Sequence, residues 1–285
     1  MIKPIVQPRD GIGLLVDAIS GATKSIEATI YRADRLEIEK ALIDAVAQGV
    51  EVHILTTRTN RDDAKNLRRL ESRLADAGVR VSLTPEDLTR YHNKMMIIDR
   101  RTLYLLTFNF TFLDIHHSRG LGIITDERDA VHDAIRLFEV DSGQAKYPPL
   151  LERLIVSPLN ARPSITDFIN GAARQLLIYD GRLNDARIIR VLERKARAGI
   201  EVKVIGKTDR RARDVEVRPM PDILLHAQAI IRDGTSVFLG SQSLRKAELD
   251  DRREVGIIIG HRSVVKQFRA LFELDWADII AEYPE

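Results

Sequence analysis

The fold is decided by one stretch of nine residues, Tyr91-His92-Asn93-Lys94-Met95-Met96-Ile97-Ile98-Asp99. Its apolar run is rich in thioether and β-branched side chains and is too short for a helix, which predicts a strand buried on both faces. Side chains alternate along a strand, so His92 and Lys94 project from one face and Asp99 from the other. An imidazole and an ammonium group are therefore expected on the same wall of a cleft.

An imperfect second copy of this stretch lies 134 positions further on, Leu225-His226-Ala227-Gln228-Ala229-Ile230-Ile231-Arg232-Asp233. The same offset carries Arg119-Gly120-Leu121-Gly122 onto Arg253-Glu254-Val255-Gly256. It also carries Phe138-Glu139-Val140-Asp141 onto Phe272-Glu273-Leu274-Asp275. Agreement at three separate places indicates an internal repeat that spans most of the chain.

Helical and strand patterns before each copy also repeat. In the first half, helices are predicted over Gly11–Ala22 and Arg35–Gln48, with strands over Ser25–Tyr31 and Val50–Leu55. Such a β-α-β order implies parallel strands with a covering helix. The second half repeats this order at Ser164–Ala173, Gln175–Tyr179 and Asn184–Ala198. A further helix is predicted from about Asp62 to Ala77 in the first half alone.

The pattern His92-x-Lys94-x4-Asp99, followed by Thr107-Phe108-Asn109, resembles the HxKxxxxD and GSxN motifs of the phospholipase D superfamily. The second copy continues into Gly240-Ser241-Gln242-Ser243, where the asparagine of the motif is missing. This resemblance implies an α/β fold of two homologous halves, with mixed, largely parallel sheets flanked by helices and packed about a pseudo-twofold axis. We expect an N-terminal half at 1–145 with the intact motif and a C-terminal half at 146–285 with HxQxxxxD.

Composition excludes several classes of chemistry. The chain has no cysteine, so disulfides, thiolate nucleophiles and cysteine-ligated zinc are all ruled out. Lys and Arg number 44 against 42 Asp and Glu, so the overall charge does not indicate a nucleic-acid protein. No stretch approaches the roughly 20 apolar residues of a membrane span, and the N-terminus lacks signal-peptide features. We therefore expect a cytoplasmic protein without a transmembrane segment, and a monomer.

The resemblance also implies a mechanism. One histidine attacks phosphorus to form a covalent phosphohistidine, which water or an alcohol then displaces, without a cofactor or a metal. Imidazole suits both required roles because it titrates near neutrality, so one ring can attack while the other donates a proton. The remaining histidines show no metal-ligand spacing; they are His53, His116, His117, His132 and His261.

The candidate site residues fall into three groups. The catalytic candidates are His92, His226 and Glu254, with His92 as nucleophile and His226 as acid and base. Phosphate binding is assigned to Lys94, Thr107, Asn109, Gln228, Ser241 and Ser243. The motif acids Asp99 and Asp233 are assigned a structural role, because their strand parity points them away from the phosphate.

A single orienting carboxylate is expected. Glu254 follows His226 by 28 residues, whereas the equivalent position after His92 is Gly120. In the family these acids can act across the interface, so Glu254 is expected to bond Nδ1 of His92 and leave Nε2 basic. The neutral Gln228, in place of lysine, weakens the second half of the site.

The substrate stays open at this point. The family favours a phosphodiesterase acting on phospholipid, by hydrolysis or phosphatidyl transfer; a nuclease and a weakened phosphate-binding pseudoenzyme are the alternatives. The arginine-rich segments Arg58–Arg73 and Lys207–Arg218 are candidates for contact with a membrane surface or nucleic acid. Acidic residues interleave both segments, so an ordinary solvated surface fits them equally well.

Overall fold

The computed structural model describes residues 1–58, 64–86, 88, 91–145, 151–210 and 212–282. Its elements in the first half are β1 (Ile2–Val6), α1 (Gly13–Ser20), β2 (Ser25–Ile30), α2 (Leu36–Ala47), β3 (Glu51–Thr56), α3 (Ala64–Asp76), β4 (Arg80–Leu83), β5 (Met95–Ile98), β6 (Thr102–Leu106), α4 (Phe112–His116), β7 (Ser118–Arg119), β8 (Leu121–Thr125) and α5 (Arg128–Asp141).

The second half repeats most of this order. Its elements are β9 (Leu154–Val156), α6 (Ala161–Asn170), β10 (Gln175–Leu183), α7 (Ala186–Arg197), β11 (Glu201–Thr208), β12 (Glu216–Arg218), β13 (Leu224–Leu225), β14 (Gln228–Arg232), β15 (Ser236–Gly240), α8 (Lys246–Asp250), β16 (Val255–Ile259) and α9 (Arg262–Glu282). The expected boundary between halves, at 145 and 146, falls at residues 146–150, which lie outside the described part of the chain.

Two sheets of the same topology form the framework. The first has the order β1-β8-β6-β5-β2-β3-β4, and the second has the matching order β9-β16-β15-β14-β10-β11-β12. The α/β class with two homologous halves is confirmed. The parallel share is smaller than expected: only β2-β3-β4 and β10-β11-β12 run parallel within these sheets, while the other described pairings are antiparallel. Parallel pairing needs a crossover connection, whereas β5 and β6 are joined by a tight hairpin.

The helices of the parallel part end where the sequence predicts. Helix α2 stops just before Gly49, which has a φ of 86°, and α7 stops just before Gly199, which has a φ of 85°. An L side chain would be strained at these angles, whereas glycine adopts them freely. The chain then turns directly into β3 and β11, and this repeats in both halves.

The two sheets share one apolar core. The alternation along β5 sends Met95 and Ile97 into this shared core and Met96 and Ile98 into a separate core beneath α1, α2 and α3. The shared core also takes side chains from β14, α5 and α9, so it joins both halves. A third core lies beneath α6 and α7. The strand buried on both faces is therefore confirmed, and its inner face belongs to the junction between halves.

Both motif histidines lie just before their strands rather than inside them. The N–H of His92 donates to the carbonyl of Arg253 at 3.0 Å, and the N–H of His226 donates to the carbonyl of Arg119 at 3.0 Å. Each histidine segment therefore pairs first with the opposite half and only then enters its own sheet. His92 and His226 therefore precede strands β5 and β14, which corrects the expectation that they are strand residues.

Buried ion pairs also join the two halves of the chain. The guanidinium of Arg119 donates to both carboxylate oxygens of Asp275, at 2.9 and 2.7 Å, and Tyr179 donates to the same carboxylate at 2.6 Å. The pseudo-symmetric pair is Arg253 with Asp141, at 3.2 Å. In each pair the arginine that anchors a histidine by its backbone is held by an acid of the opposite half.

We predict that Asp275→Ala destabilises the fold by about 3–5 kcal/mol, because it leaves the Arg119 guanidinium largely buried and unpaired. The measurement is chemical unfolding at neutral pH. Asp278→Ala is the matched control on the same helix; its side chain is exposed, and its effect should stay within about 0.5 kcal/mol. Equal stability of the two variants would contradict the role given to this ion pair.

Candidate active site

His92 is held across the junction by an acid of the second half. Its Nδ1 lies 3.2 Å from Oε2 of Glu254, which is fully buried at the start of β16. A ring that bonds a carboxylate through Nδ1 keeps its Nε2 lone pair available. The His92 side chain is 25% exposed, so a substrate can reach it.

The environment keeps the His92 ring neutral. Burial lowers the pKa of His92 below its ordinary value of 6.5, and the positive charge of Lys94 lowers it further. The charge of Glu254 acts in the opposite direction and does not cancel these effects. A neutral imidazole is the form that can attack an electrophile.

Lys94 lies against the same ring. Its Nζ is 3.0 Å from Nδ1 and 3.1 Å from Nε2 of His92, and it donates to the His92 carbonyl at 2.9 Å. Tyr31 lies beside both groups, with its ring centroid 4.5 Å from that of His92 and 5.5 Å from Nζ. Burial lowers the pKa of Lys94 to about 8, so the ammonium form prevails at neutral pH but is easily lost at higher pH.

His226 has an acid of its own, which corrects the expectation of a single orienting carboxylate. Its Nδ1 lies 3.2 Å from Oδ2 of Asp114, at the N-terminal end of the short helix α4 in the first half. Thr111 caps this helix by accepting the N–H of Asp114 at 3.2 Å. The acid at Asp114 takes the role that the sequence comparison sought at Gly120.

Asp114 is ionised, and one of its oxygens accepts several hydrogen bonds. Its Oδ2 accepts both the backbone N–H and the side-chain amide of Asn109, each at 2.7 Å. Burial acts to raise the pKa of Asp114, but bonding and attraction from His226, with the Asn109 bonds, outweigh it and the pKa falls below its ordinary value. The repeat gave no direct signal, because the residue equivalent to Asp114 is Glu248, which pairs with Arg245 and Arg252, whereas His92 is held by Glu254.

The surroundings of His92 and His226 interact electrostatically. The negative charges of Glu254 and Asp114 both act on the ammonium of Lys94. Two buried acceptors in this region, Oε1 of Glu254 and Oδ1 of Asn109, have no hydrogen-bond partner among the described residues. Both atoms are acceptors, so they can bond a donor group or an ordered water.

The second half differs from the first at a facing pair of residues. Gln228 is paired in register with Asp180, whereas the equivalent positions of the first half are Lys94 and Ile30. Asp180 is buried and accepts the Ser243 hydroxyl at 2.8 Å and the Leu244 N–H at 2.5 Å. Burial raises the pKa of Asp180 to about 6. The second half of the site therefore contains the carboxyl group of Asp180, where the first half has the hydrocarbon side chain of Ile30.

Other predicted residues are used in backbone contacts. Thr107 accepts the Leu121 N–H at 3.0 Å, and Ser241 accepts the Val255 N–H at 3.1 Å, so both hydroxyls fasten a loop to the next strand. Phosphate binding by Thr107, Ser241 and Ser243 stays a prediction.

The motif acids lie at the far end of their strands. Asp99 accepts the backbone N–H groups of residues 23, 24 and 25 at 2.7–3.1 Å. Asp233 accepts those of residues 173, 174 and 175 at 2.7–2.9 Å. Neither acid contacts a motif histidine, and both fix the chain where β2 or β10 begins.

Two arginines near the site were missed by the sequence analysis. The charge of Arg252 acts on both His92 and Lys94, and the charge of Arg32 acts on Lys94. Arg252 also pairs with Glu248 at 3.1 Å. Arginines are frequent in this chain, so only the three-dimensional arrangement distinguishes these two.

Three of the seven described arginines in the arginine-rich segments pair with described acids. Arg68 pairs with Glu71 at 2.5 Å, Arg73 with Glu39 at 2.5 Å, and Arg218 with Glu216 at 2.9 Å. Arg61 and Arg211 lie outside the described residues. These ion pairs favour the interpretation of both segments as solvated surface.

Within the described residues, no cluster of three or more His, Asp or Glu side chains is placed to hold a metal ion. A search of the same residues finds no helix that is long and apolar enough to cross a membrane.

Comparison with known proteins gives the family. The model of the family described as "Cardiolipin synthase, PLD-like domain" matches residues 15–142 and again residues 165–276, one match to each half. The chain belongs to this phospholipase D-like family of enzymes, with an intact motif in the first half and HxQ in the second.

Curated relatives are similar over most of this chain. The polyphosphate kinase of Staphylococcus epidermidis is 27% identical over 70% of the chain and 30% of the relative. Polyphosphate kinase 1 of Chlorobaculum tepidum is 25% identical over 95% of the chain and 43% of the relative. The chain thus spans less than half the length of these relatives.

Solved structures share the fold. Polyphosphate kinase from Porphyromonas gingivalis superposes with a TM-score of 0.80 at 24% identity, covering 97% of this chain and 50% of the other. Phosphatidylserine synthase from Haemophilus influenzae superposes with a TM-score of 0.71 at 12% identity, covering 98% of this chain and 86% of the other.

The expected substrate is corrected by the curated relatives. Cleavage or transfer of a phospholipid or nucleic-acid phosphodiester is wrong as the function, because the relatives are named polyphosphate kinases. The expectation of a hydrolase, a lipid enzyme or a nuclease is wrong for the same reason. The physical cause of the error is that His92, Lys94 and Asn109 are suited to a phosphoryl group and do not distinguish what is attached to it.

We predict that Gln228→Lys changes thermal stability in a pH-dependent way. At pH 8 Asp180 is ionised, because its pKa is about 6, and the new ammonium pairs with it; at pH 5 Asp180 is protonated and the pair is absent. The difference in Tm between variant and wild type should therefore be more favourable at pH 8 by several degrees. Lys207→Gln, at an exposed position, is a control without pH dependence. An equal difference at both pH values would contradict the pairing of residues 180 and 228.

Proposed function

We propose that this protein is a phosphoryl transferase that moves a phosphoryl group between a chain of linked phosphates and a second phosphate acceptor, through a phosphohistidine at His92. The observation that carries the proposal is the His92 ring, bonded to Glu254 through Nδ1 with Lys94 beside it. The names of the curated relatives support a polyphosphate substrate. The chain covers less than half of those relatives, so the substrate is part of the proposal.

In the first step Nε2 of His92 attacks the terminal phosphorus of the phosphate chain. A nitrogen–phosphorus bond forms, and the bond from phosphorus to the bridging oxygen breaks. The shortened chain leaves with the electron pair of that bond. His226 provides the proton for the leaving oxygen, and Asp114 stabilises the protonated ring through Nδ1.

In the second step an oxygen of the acceptor phosphate attacks the phosphohistidine, and His226 takes up any proton that the acceptor releases. The nitrogen–phosphorus bond breaks, and His92 returns to its neutral form. The two steps are mirror images in bonding, so the reaction runs in either direction according to the concentrations of donor and acceptor.

Electrostatics supplies most of the expected rate enhancement. A transferring phosphoryl group carries negative charge on its non-bridging oxygens, and cations placed beforehand stabilise it. Lys94 is adjacent to the attacking nitrogen, and Arg252 and Arg32 add positive charge nearby. The Asn109 side-chain amide, fixed on Asp114, supplies a neutral donor at the junction of the halves.

The proposal is tested by trapping the intermediate. The protein is mixed with terminally 32P-labelled polyphosphate, quenched in alkali and digested, and the labelled peptide is sequenced. We expect an acid-labile, alkali-stable label on His92, and we expect His92→Ala to lose both label and transfer by at least about 10³-fold. His261→Ala, at an exposed position distant in sequence from either motif, should label as wild type does.

Two outcomes would contradict the proposal. A label that maps to His226 would reverse the roles of the two histidines. Absence of label and of transfer with both polyphosphate and a nucleoside triphosphate as donor would refute the phosphoryl transferase itself.

The pH dependence of kcat/KM provides an independent prediction. His92 must be neutral to attack, so the rate should rise with pH through a value below 6.5. Lys94 is charged only below its pKa of about 8, so the rate should fall as pH rises past that value. In Lys94→Arg the alkaline fall should disappear, because a guanidinium stays protonated throughout this range. An unchanged alkaline fall in that variant would remove Lys94 from the explanation.

A further inference from the structure

An open cavity lies far from the histidines, at the other end of β5. It has a volume of about 590 Å³ and lies between the β5–β6 turn and the first turns of α5. His92 precedes β5 and Arg100 follows it, so the eight residue steps between them span up to about 26 Å at 3.3 Å per residue. The cavity is therefore separate from the site described above.

The described lining of this cavity is strongly basic. It contains three arginines, Arg100, Arg101 and Arg128, together with His132 and one carboxylate, Asp126. Arg100 is already paired with Glu139 and, at 3.5 Å, with Glu27. Asp126 is already paired with the amino group of Met1. The apolar side chains that line the cavity contribute no charge, so its excess of positive charge comes from Arg101 and Arg128.

The guanidinium groups of Arg101 and Arg128 are not neutralised by the described residues. Arg101, Arg128 and His132 are exposed, and none of them forms a hydrogen bond or an ion pair through its side chain with a described residue. Two other exposed arginines differ in this respect: Arg73 and Arg182 are each bound by a carboxylate, at 2.5 and 2.6 Å respectively. Like charges gathered around one cavity repel each other unless an anion lies between them.

The backbone of the turn contributes to the arrangement. Arg100 has a φ of 53°, a left-handed conformation that is unfavourable for a residue with a side chain. At the equivalent position of the second half the chain has Gly234, with a φ of 65°, which adopts this conformation without strain. The first half thus keeps an arginine at a position where glycine is favoured, and this arginine lines the cavity while it is paired with Glu139 and Glu27.

We infer that this cavity is a second anion site, which takes a short run of linked phosphoryl groups. Arginine is suited to this ligand because its planar fork donates two parallel hydrogen bonds to phosphate oxygens. Several cations along one cavity match several consecutive negative groups better than a single small anion. The inference does not depend on the activity proposed above, since it requires the charges of the cavity and not turnover at His92.

The test follows His132 directly by NMR. The full chain, with 13C-labelled histidines, is titrated with inorganic tripolyphosphate at constant ionic strength, and His132→Gln assigns the signal. We expect the His132 signal to move in a saturable way in the wild type. The same shift is expected in Lys94→Gln, a variant whose active site has lost the ammonium group beside His92. This second background separates the cavity from the active site, so failure of one proposal does not imply failure of the other.

Charge-matched variants make the assignment specific. In Arg101→Gln/Arg128→Gln the apparent Kd read at His132 should rise at least tenfold, while the response of His92 stays within twofold. The control Arg187→Gln/Arg190→Gln removes the same charge from exposed positions on α7 and should behave as wild type. An unmoved His132 signal, an equal response to sulfate, or no effect of the cavity variant would overturn the inference.

Two nucleotides distinguish the sources of the phosphate chain. A response to ATP without a response to AMP assigns the site to the phosphate tail of nucleotides as well as to inorganic chains. A response to tripolyphosphate alone assigns it to inorganic chains, and both results support the inference. Equal responses to ATP and AMP would overturn it, because the ligand would then be recognised by its nucleoside.

Discussion

The structure depends on one reciprocal constraint: each motif histidine is positioned by the opposite half of the chain. Glu254 of the second half bonds Nδ1 of His92, and Asp114 of the first half bonds Nδ1 of His226. The backbone N–H of each histidine donates to an arginine carbonyl across the same junction. The apolar core between the sheets and the buried arginine–aspartate pairs both serve to keep this junction closed.

The site gains its chemical properties from that burial. Removing His92 and Lys94 from water lowers the pKa of both groups, so a neutral imidazole and an ammonium group that loses its proton easily lie in contact. In the second half the same kind of burial acts on Asp180 and raises its pKa. The two halves of the site therefore differ in their charged groups, although they belong to one duplicated fold. This inequality supports the assignment of the covalent step to the first half.

Much of the fold could be predicted because it follows local rules. The period of two along Met95–Ile98, the glycines after α2 and α7, and the 134-residue repeat each determine an element or a pairing. The proximity of Glu254 to His92 could also be anticipated, since the offset singled out an acid present in one copy only. The excess of antiparallel pairing could not be predicted. The residue pattern of a buried strand does not show whether its neighbour is joined to it by a hairpin or by a crossover connection.

Asp114 and the substrate escaped prediction for different reasons. Asp114 lies on a helix of one and a half turns that shows no periodicity, and it acts on a histidine more than a hundred residues away. The substrate escaped because the motif residues are suited to a phosphoryl group alone, and phosphodiesters and phosphate chains both present one.

The shared junction also has an evolutionary consequence. An ancestor with a single half could have completed such a site only as a symmetric homodimer, in which every substitution occurred twice. Fusion of two copies into one polypeptide removed that restriction, since each copy could then mutate alone. The divergence of Ile30 and Lys94 from Asp180 and Gln228 is the kind of asymmetry that a duplicated sequence can inherit and a symmetric homodimer cannot.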